Sequence, residues 1–128
     1  MPVTVLVVDD SKLARAVAAR LLRQARPDWA VREAANADEA ATIVAAEPVD
    51  VALLDFNMPG RDGLALAEQL RAERPGMPIA VISANIQDEV IARARELEAT
   101  FLAKPLTGEA LAGFLSGAAL RLRRGGTP

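Results

Sequence analysis

Val3-Thr4-Val5-Leu6-Val7-Val8 runs almost without polar interruption and then stops at Asp9-Asp10. A stretch this short and this rich in β-branched residues reads as a strand covered on both faces. The pattern recurs. Val51-Ala52-Leu53-Leu54 ends at Asp55, Ile79-Ala80-Val81-Ile82 ends at Ser83, and Phe101-Leu102-Ala103 ends at Lys104. Helix-period segments separate these runs, so the strands are expected to be parallel, with each polar residue at a carboxyl end. Open parallel sheets bind their ligands outside that edge. Three carboxylates, a hydroxyl and an ammonium gathered there point to a metal-plus-phosphate site.

Between the strands, Ser11 is a suitable N-cap, and Leu13, Ala14, Val17, Ala18, Leu21 and Leu22 recur at helical spacing until Arg26-Pro27. Trp29 to Ala34 alternates apolar and polar, as a half-exposed edge strand does. A second helix starts at Asn36 or Ala37 and stops at Pro48, and a third strand runs from about Val49 to Asp55. Phe56-Asn57-Met58-Pro59-Gly60-Arg61-Asp62-Gly63 is dense in turn residues and opens a helix over Leu64 to Arg74. A fourth helix is expected from about Gln87 to Glu98. Thr107 caps a fifth, which runs to about Arg123. Strand–helix alternation of this kind predicts an α/β, doubly wound, flavodoxin-like (βα)5 sandwich in three layers, with a five-stranded parallel sheet in the order 2-1-3-4-5. That order places Asp9, Asp10 and Asp55 together. Residues 1–123 form the expected domain, and 124–128 a flexible C-terminal tail.

Composition narrows the function. The 128 residues carry a net charge of −2 with a pI near 5.2, which argues against non-specific nucleic-acid binding. No run is long enough to span a bilayer, and no secretory signal precedes the first strand, so a cytoplasmic location is expected. The absence of cysteine excludes disulfides and thiolate metal sites. The absence of histidine excludes a phosphohistidine, a Ser-His-Asp triad and a histidine-ligated metal. A metal here must be a hard cation on oxygen ligands, with magnesium favoured. Lysine occurs only as Lys12 and Lys104 against 13 arginines, so Lys104 reads as a requirement for a compact ammonium.

Each feature has a plainer reading. A lone Asp at a strand end is usually a cap, Ser83 suits a helix cap, and Phe101 suits a core. Lys12 and the Arg121, Arg123, Arg124 run read as solvated charge. Three converging carboxylates do not reduce this way, because like charges at short range destabilise a fold that holds no cation.

Together the motifs Val-Val-Asp9-Asp10-Ser, Leu-Leu-Asp55-Phe-Asn-Met-Pro-Gly-Arg-Asp-Gly, Ile-Ser83-Ala-Asn and Phe101-Leu-Ala-Lys104-Pro105 resemble the receiver domain of two-component response regulators, from Val3 to about Leu122. The resemblance implies that Asp55 accepts a phosphoryl group from a phosphohistidine on a histidine kinase or histidine phosphotransferase. It implies Mg²⁺ on Asp10 and Asp55 directly, on Asp9 largely through water, and on the backbone carbonyl of Asn57. Lys104 would neutralise phosphoryl charge, Ser83 would bond the incoming group, and Phe101 would turn inward as the switch aromatic. A downstream protein target and a phosphorylation-dependent homodimer are the expected partners, with neither nucleic acid nor membrane. Many receivers carry Gly-Ala before strand five, whereas this chain has Glu96-Leu97-Glu98-Ala99-Thr100-Phe101, without glycine and one residue shorter.

The chain stops just after the fifth helix, so a stand-alone, chemotaxis-type regulator that is not an enzyme in its own right is expected. The rivals are a phosphohydrolase using Asp55 as nucleophile and a pseudo-receiver that binds partners without phosphorylation. The first lacks an acid/base carboxylate two residues beyond the nucleophile, where Asn57 stands. The second is disfavoured because every site residue is present.

Overall fold

The computed structural model describes residues 3–58, 60, 62–84 and 86–125, with Arg124 and Gly125 as backbone only. Five strands and five helices alternate: β1 (Thr4–Val8), α1 (Lys12–Ala25), β2 (Ala30–Ala34), α2 (Ala37–Ala46), β3 (Val51–Asp55), α3 (Gly63–Glu73), β4 (Ile79–Ser83), α4 (Asp88–Glu96), β5 (Thr100–Ala103) and α5 (Gly108–Gly125). All pairings are parallel and the order is β2-β1-β3-β4-β5, as expected.

Strand alternation sorts the core into two layers. Leu6, Val8, Leu54 and Val81 pack with Ala40, Val44, Leu66, Leu70 and Ala94 of α2, α3 and α4. Val5, Val7, Leu53 and Ala80 pack with Ala18, Leu22, Leu111 and Leu115 of α1 and α5. β1, β3 and β4 are thus covered on both faces, which is why their sequences lack polar alternation. β2 is an edge with exposed Arg32 and Glu33. The caps fall where the side chains allow: Ser11, Asn36 and Asp62 accept from the amides of Ala14, Glu39 and Ala65, and Thr107 from Ala110.

The structure adds detail to one reading and alters two. The inward face of α1 is Ala18, Ala19 and Leu22, whereas Leu13 is 76% exposed and Val17 48% exposed. The apolar stripe is wider than the buried one and turned from it by about one position. Helix α5 includes Arg124 and Gly125, two of the residues assigned to the expected tail; the rest of that expected tail, residues 126–128, lies outside the described set. Arg121 is not simply solvated, because its guanidinium lies 3.7 Å from the Glu98 carboxylate.

The corner between α4 and β5 shows how the missing glycine is replaced. Glu98 adopts φ +56°, the left-handed conformation that glycine usually supplies after a helix. The Ala99 amide donates to the Ala94 carbonyl at 2.8 Å and the Glu98 amide to Arg95 at 2.9 Å, the paired closure of a Schellman turn. The Arg71 guanidinium donates to the carbonyls of Leu97 (2.8 Å) and Glu98 (3.1 Å), and also to Pro75 (2.9 Å) and Met77 (2.6 Å). Burial, then the nearby charge of Arg121, lower the pKa of Arg71, while Glu98 opposes them.

Candidate functional site

Adjacent strands β1 and β3 deliver Asp9, Asp10 and Asp55 to one edge of the sheet. One oxygen from each carboxylate lies within 4.8 Å of the other two. Asp55 is 3% exposed and Asp9 9%, while Asp10 is open to solvent. The Asp9 amide donates to Ala34 at 3.1 Å, and its Oδ1 accepts from the Ser11 amide at 2.9 Å. Ser11 then caps α1, so the loop leaving β1 is fixed as it turns into the helix.

Opposite stands Lys104, with Nζ 2.7 Å from Asp55 Oδ1. Its amide donates to the Ser83 carbonyl at 3.0 Å, which carries the ends of β4 and β5 to the same edge. The Lys104–Pro105 peptide is cis. Ser83 is fully buried there. Asn57 is exposed just beyond β3, and Phe101, half-buried against the α2–α4 layer, pairs with Val81 and is set back from the acidic pocket.

Burial is the largest influence on Asp9 and raises its pKa. The Ser11 amide and Lys104 oppose this, and the charges of Asp55 and Asp10 add to it. Burial alone would lower the Lys104 pKa, but the hydrogen bond and charge of Asp55, with Asp9 and Asp10 behind it, raise it. The pocket therefore holds more negative charge than one ammonium offsets. Its donors are all carboxylate oxygens at short mutual range, which fits a hard divalent cation such as Mg²⁺.

Two further residues shape the site, and the sequence assigned neither of them a role there. An added Cβ on Gly63 would lie 2.4 Å from the Asp55 carbonyl oxygen, so only glycine lets α3 start so close to the end of β3. Arg15 donates through Nη1 to the Asp9 carbonyl at 2.7 Å and through Nε to Glu33 at 3.3 Å. Its signal was its spacing: it precedes Ala19 and Leu22 by four and seven positions, on the inner stripe of α1. Beside the pocket lies a groove of about 600 Å³, lined by Leu13, Val17, Ile82, Pro105 and Leu106 and open to Asp55.

The chain matches the response regulator receiver domain over residues 5–115. It belongs to that family. As a receiver domain it is 42% identical over 111 residues to the positive alginate biosynthesis regulatory protein of Pseudomonas aeruginosa, covering 84% of this chain and 44% of that protein. It is 36% identical over 114 residues to response regulator MprA of Mycolicibacterium vanbaalenii, covering 87% of this chain and 48% of that one. The chain thus spans less than half the length of these curated relatives. Among solved structures, the chemotaxis protein CheY4 of Vibrio cholerae superposes with a TM-score of 0.83 at 27% identity, covering 92% of this chain and 99% of that one. A CheY-like receiver domain from Methanospirillum hungatei JF-1 shares the fold at TM-score 0.87 and 21% identity, with 97% and 99% covered. This receiver domain is a signalling module of two-component response regulators. Among the described residues, no helix is long and apolar enough to cross a membrane.

Proposed function

We propose that residues 1–123 act as a phosphoacceptor unit in which Asp55 takes a phosphoryl group and thereby changes a protein-binding face. The observation that carries this reading is the convergence of Asp9, Asp10 and Asp55 within 4.8 Å, with Lys104 paired to Asp55.

Phosphoryl transfer asks a protein mainly for positioning and charge neutralisation. The Asp55 oxygen attacks phosphorus as the N–P bond to a donor imidazole breaks, and that electron pair stays on the ring nitrogen. Bound Mg²⁺ would supply charge neutralisation, held by Asp10, Asp55, the Asn57 carbonyl and, through water, Asp9. Lys104 follows the charge outward from the carboxylate to a phosphoryl oxygen, and the Ser83 hydroxyl donates to another. The groove beside Asp55, with Leu13 and Val17 exposed, suits a protein donor: a histidine kinase or a histidine phosphotransferase. On this reading the domain catalyses only the gain and loss of its own phosphoryl group.

Ser83 and Phe101 lie on β4 and β5, so rearrangement at the phosphoryl group reaches α4, β5 and α5 first. A downstream protein or a second copy of the domain would be met on that face. Either acts by preferring one of two states, and a ~100-fold preference supplies roughly 2.7 kcal/mol of bias.

Asp55→Asn tests the reading. The amide is nearly isosteric but is no anionic nucleophile, so labelling by acetyl phosphate with Mg²⁺ should vanish while the fold persists. Acid-labile, hydroxylamine-sensitive label at full stoichiometry in the variant would refute it.

A further inference from the structure

We infer that Arg15 is a positioning residue for the acidic pocket, acting through the main chain of Asp9. The inference rests on the reading of Asp9, Asp10 and Asp55 as a cation site.

The geometry is a bracket. Arg15 lies in the first turns of α1, its side chain only 15% exposed, and it spans from the helix to two neighbours. Its Nη1 holds the Asp9 carbonyl at 2.7 Å, while its Nε meets the Glu33 carboxylate at 3.3 Å. Glu33 sits on β2 in register with Val7, so the bracket ties α1 to β2 across the end of β1. The Asp9 amide is already engaged by Ala34 and its Oδ1 by Ser11. Arg15 takes the remaining main-chain group.

That carbonyl is special in one respect. It shares a rigid peptide plane with the amide of Asp10. Fixing the plane sets ψ of Asp9 and φ of Asp10 at once, and so the directions in which both carboxylates leave the backbone. Asp10 is exposed, without surrounding packing to orient it, so the main chain is the means of aiming it at Asp55. A lysine could reach the carbonyl or Glu33, but only the fork of a guanidinium holds both.

Charge and position pull in opposite directions here, which makes the inference testable. A cation beside three carboxylates repels a second cation, so if Arg15 mattered only as charge, removing it would tighten Mg²⁺ binding. If it positions the ligands, removing it loosens binding, as loss of outer partners does by roughly 10- to 100-fold.

The experiment is calorimetric titration of the whole chain with MgCl₂ alone, at neutral pH, with melting temperature measured in chelator for every variant. Arg15→Ala should weaken Mg²⁺ about tenfold. Arg15→Lys should fall between it and the parent, and Glu33→Gln should weaken binding by a smaller factor with Arg15 intact. Equal or tighter binding by Arg15→Ala overturns the inference, whatever its melting temperature. If Arg15→Ala does not fold, Arg15→Lys and Glu33→Gln decide by the same criterion. Asp10→Ala separates the two readings. If it loses most affinity and the Arg15 and Glu33 variants lose none, only the positioning role fails. If it binds as the parent does, the cation site itself fails.

Discussion

Gly63 meets Asp55 at the backbone: an added Cβ would lie 2.4 Å from the Asp55 carbonyl oxygen and 2.9 Å from its carbonyl carbon. The Gly63 amide also donates to the Phe56 carbonyl at 3.0 Å, so α3 is pinned against the strand end that presents the carboxylate. Backbone does not yield as a flexible side chain would. Gly63→Ala should therefore lose about 1–3 kcal/mol in urea unfolding, the usual cost of overpacking, and also phosphorylate more slowly because Asp55 moves. Parental stability and labelling rate in this variant would mean that the contact is relieved without displacing the site.

Asp9→Asn should stabilise the metal-free protein and weaken its response to Mg²⁺. The Asp9 carboxyl is held above its usual value of 3.8 mainly by burial, with Asp55 and Asp10 adding. The folded state therefore keeps the proton more tightly than the unfolded chain, and stability falls as pH rises from about 3.8 through the raised folded value. At neutral pH the ionised group is a liability, while the amide oxygen can still accept from Ser11. Urea midpoints in chelator across the acidic range, then with MgCl₂, provide the check. A variant less stable than the parent in chelator at pH 7 contradicts this.

Lys104 has the opposite sign. Its pKa is raised, so its contribution to stability is complete below the unfolded value of 10.5 and is lost as pH climbs through the folded one. Lys104→Met should be destabilised at pH 7, because buried Asp55 loses its partner, and the gap to the parent should narrow above about pH 10.5. Lys104→Arg keeps the charge but brings a planar fork to a place for one ammonium, and should fold without supporting phosphorylation-dependent partner binding. A gap that stays constant into the alkaline range would show that packing, not charge, is what Lys104 provides.

Glu98→Gly should raise stability. A left-handed non-glycine residue costs about 1–2 kcal/mol, and glycine returns part of that as chain entropy, leaving a gain of up to about 1 kcal/mol. The Glu98–Arg121 pair lost in the exchange is solvent-facing, with Glu98 73% exposed, and offsets little of it. A melting temperature a few degrees higher is expected. A lower one would assign the corner's stability to the ion pair.

Much of this was legible in the sequence because it repeats. Buried parallel strands have no polar alternation to hide them, and the carboxyl-end polar residues Asp9, Asp10, Asp55, Ser83 and Lys104 mark the site edge directly. Strand order followed from the size of the sheet, and it alone brought β1 to β3. The spacing of α1 gave the helix but not its inner face, because Leu13 and Val17 extend the apolar stripe beyond the buried one. Gly63 looked like turn chemistry, since a close approach to Asp55 leaves no periodic trace. Arg15 and Arg71 carry no mark of their roles in the motifs. Arg15 shows only its place on the inner stripe of α1, not the Asp9 carbonyl it holds, and the partners of Arg71 are main-chain carbonyls, one of them 26 residues away.

That distance has a consequence for modularity. In receivers that place glycine after the fourth helix, the turn into strand five carries its own geometry and could be moved between proteins as a segment. Here the turn borrows its geometry from Arg71, whose fork satisfies the carbonyls of Leu97 and Glu98 from a different helix. Chimeras that exchange residues 84–104 with another receiver would separate the two halves of one device. Recombination is expected to tolerate a crossover before Arg71 and to penalise one after it.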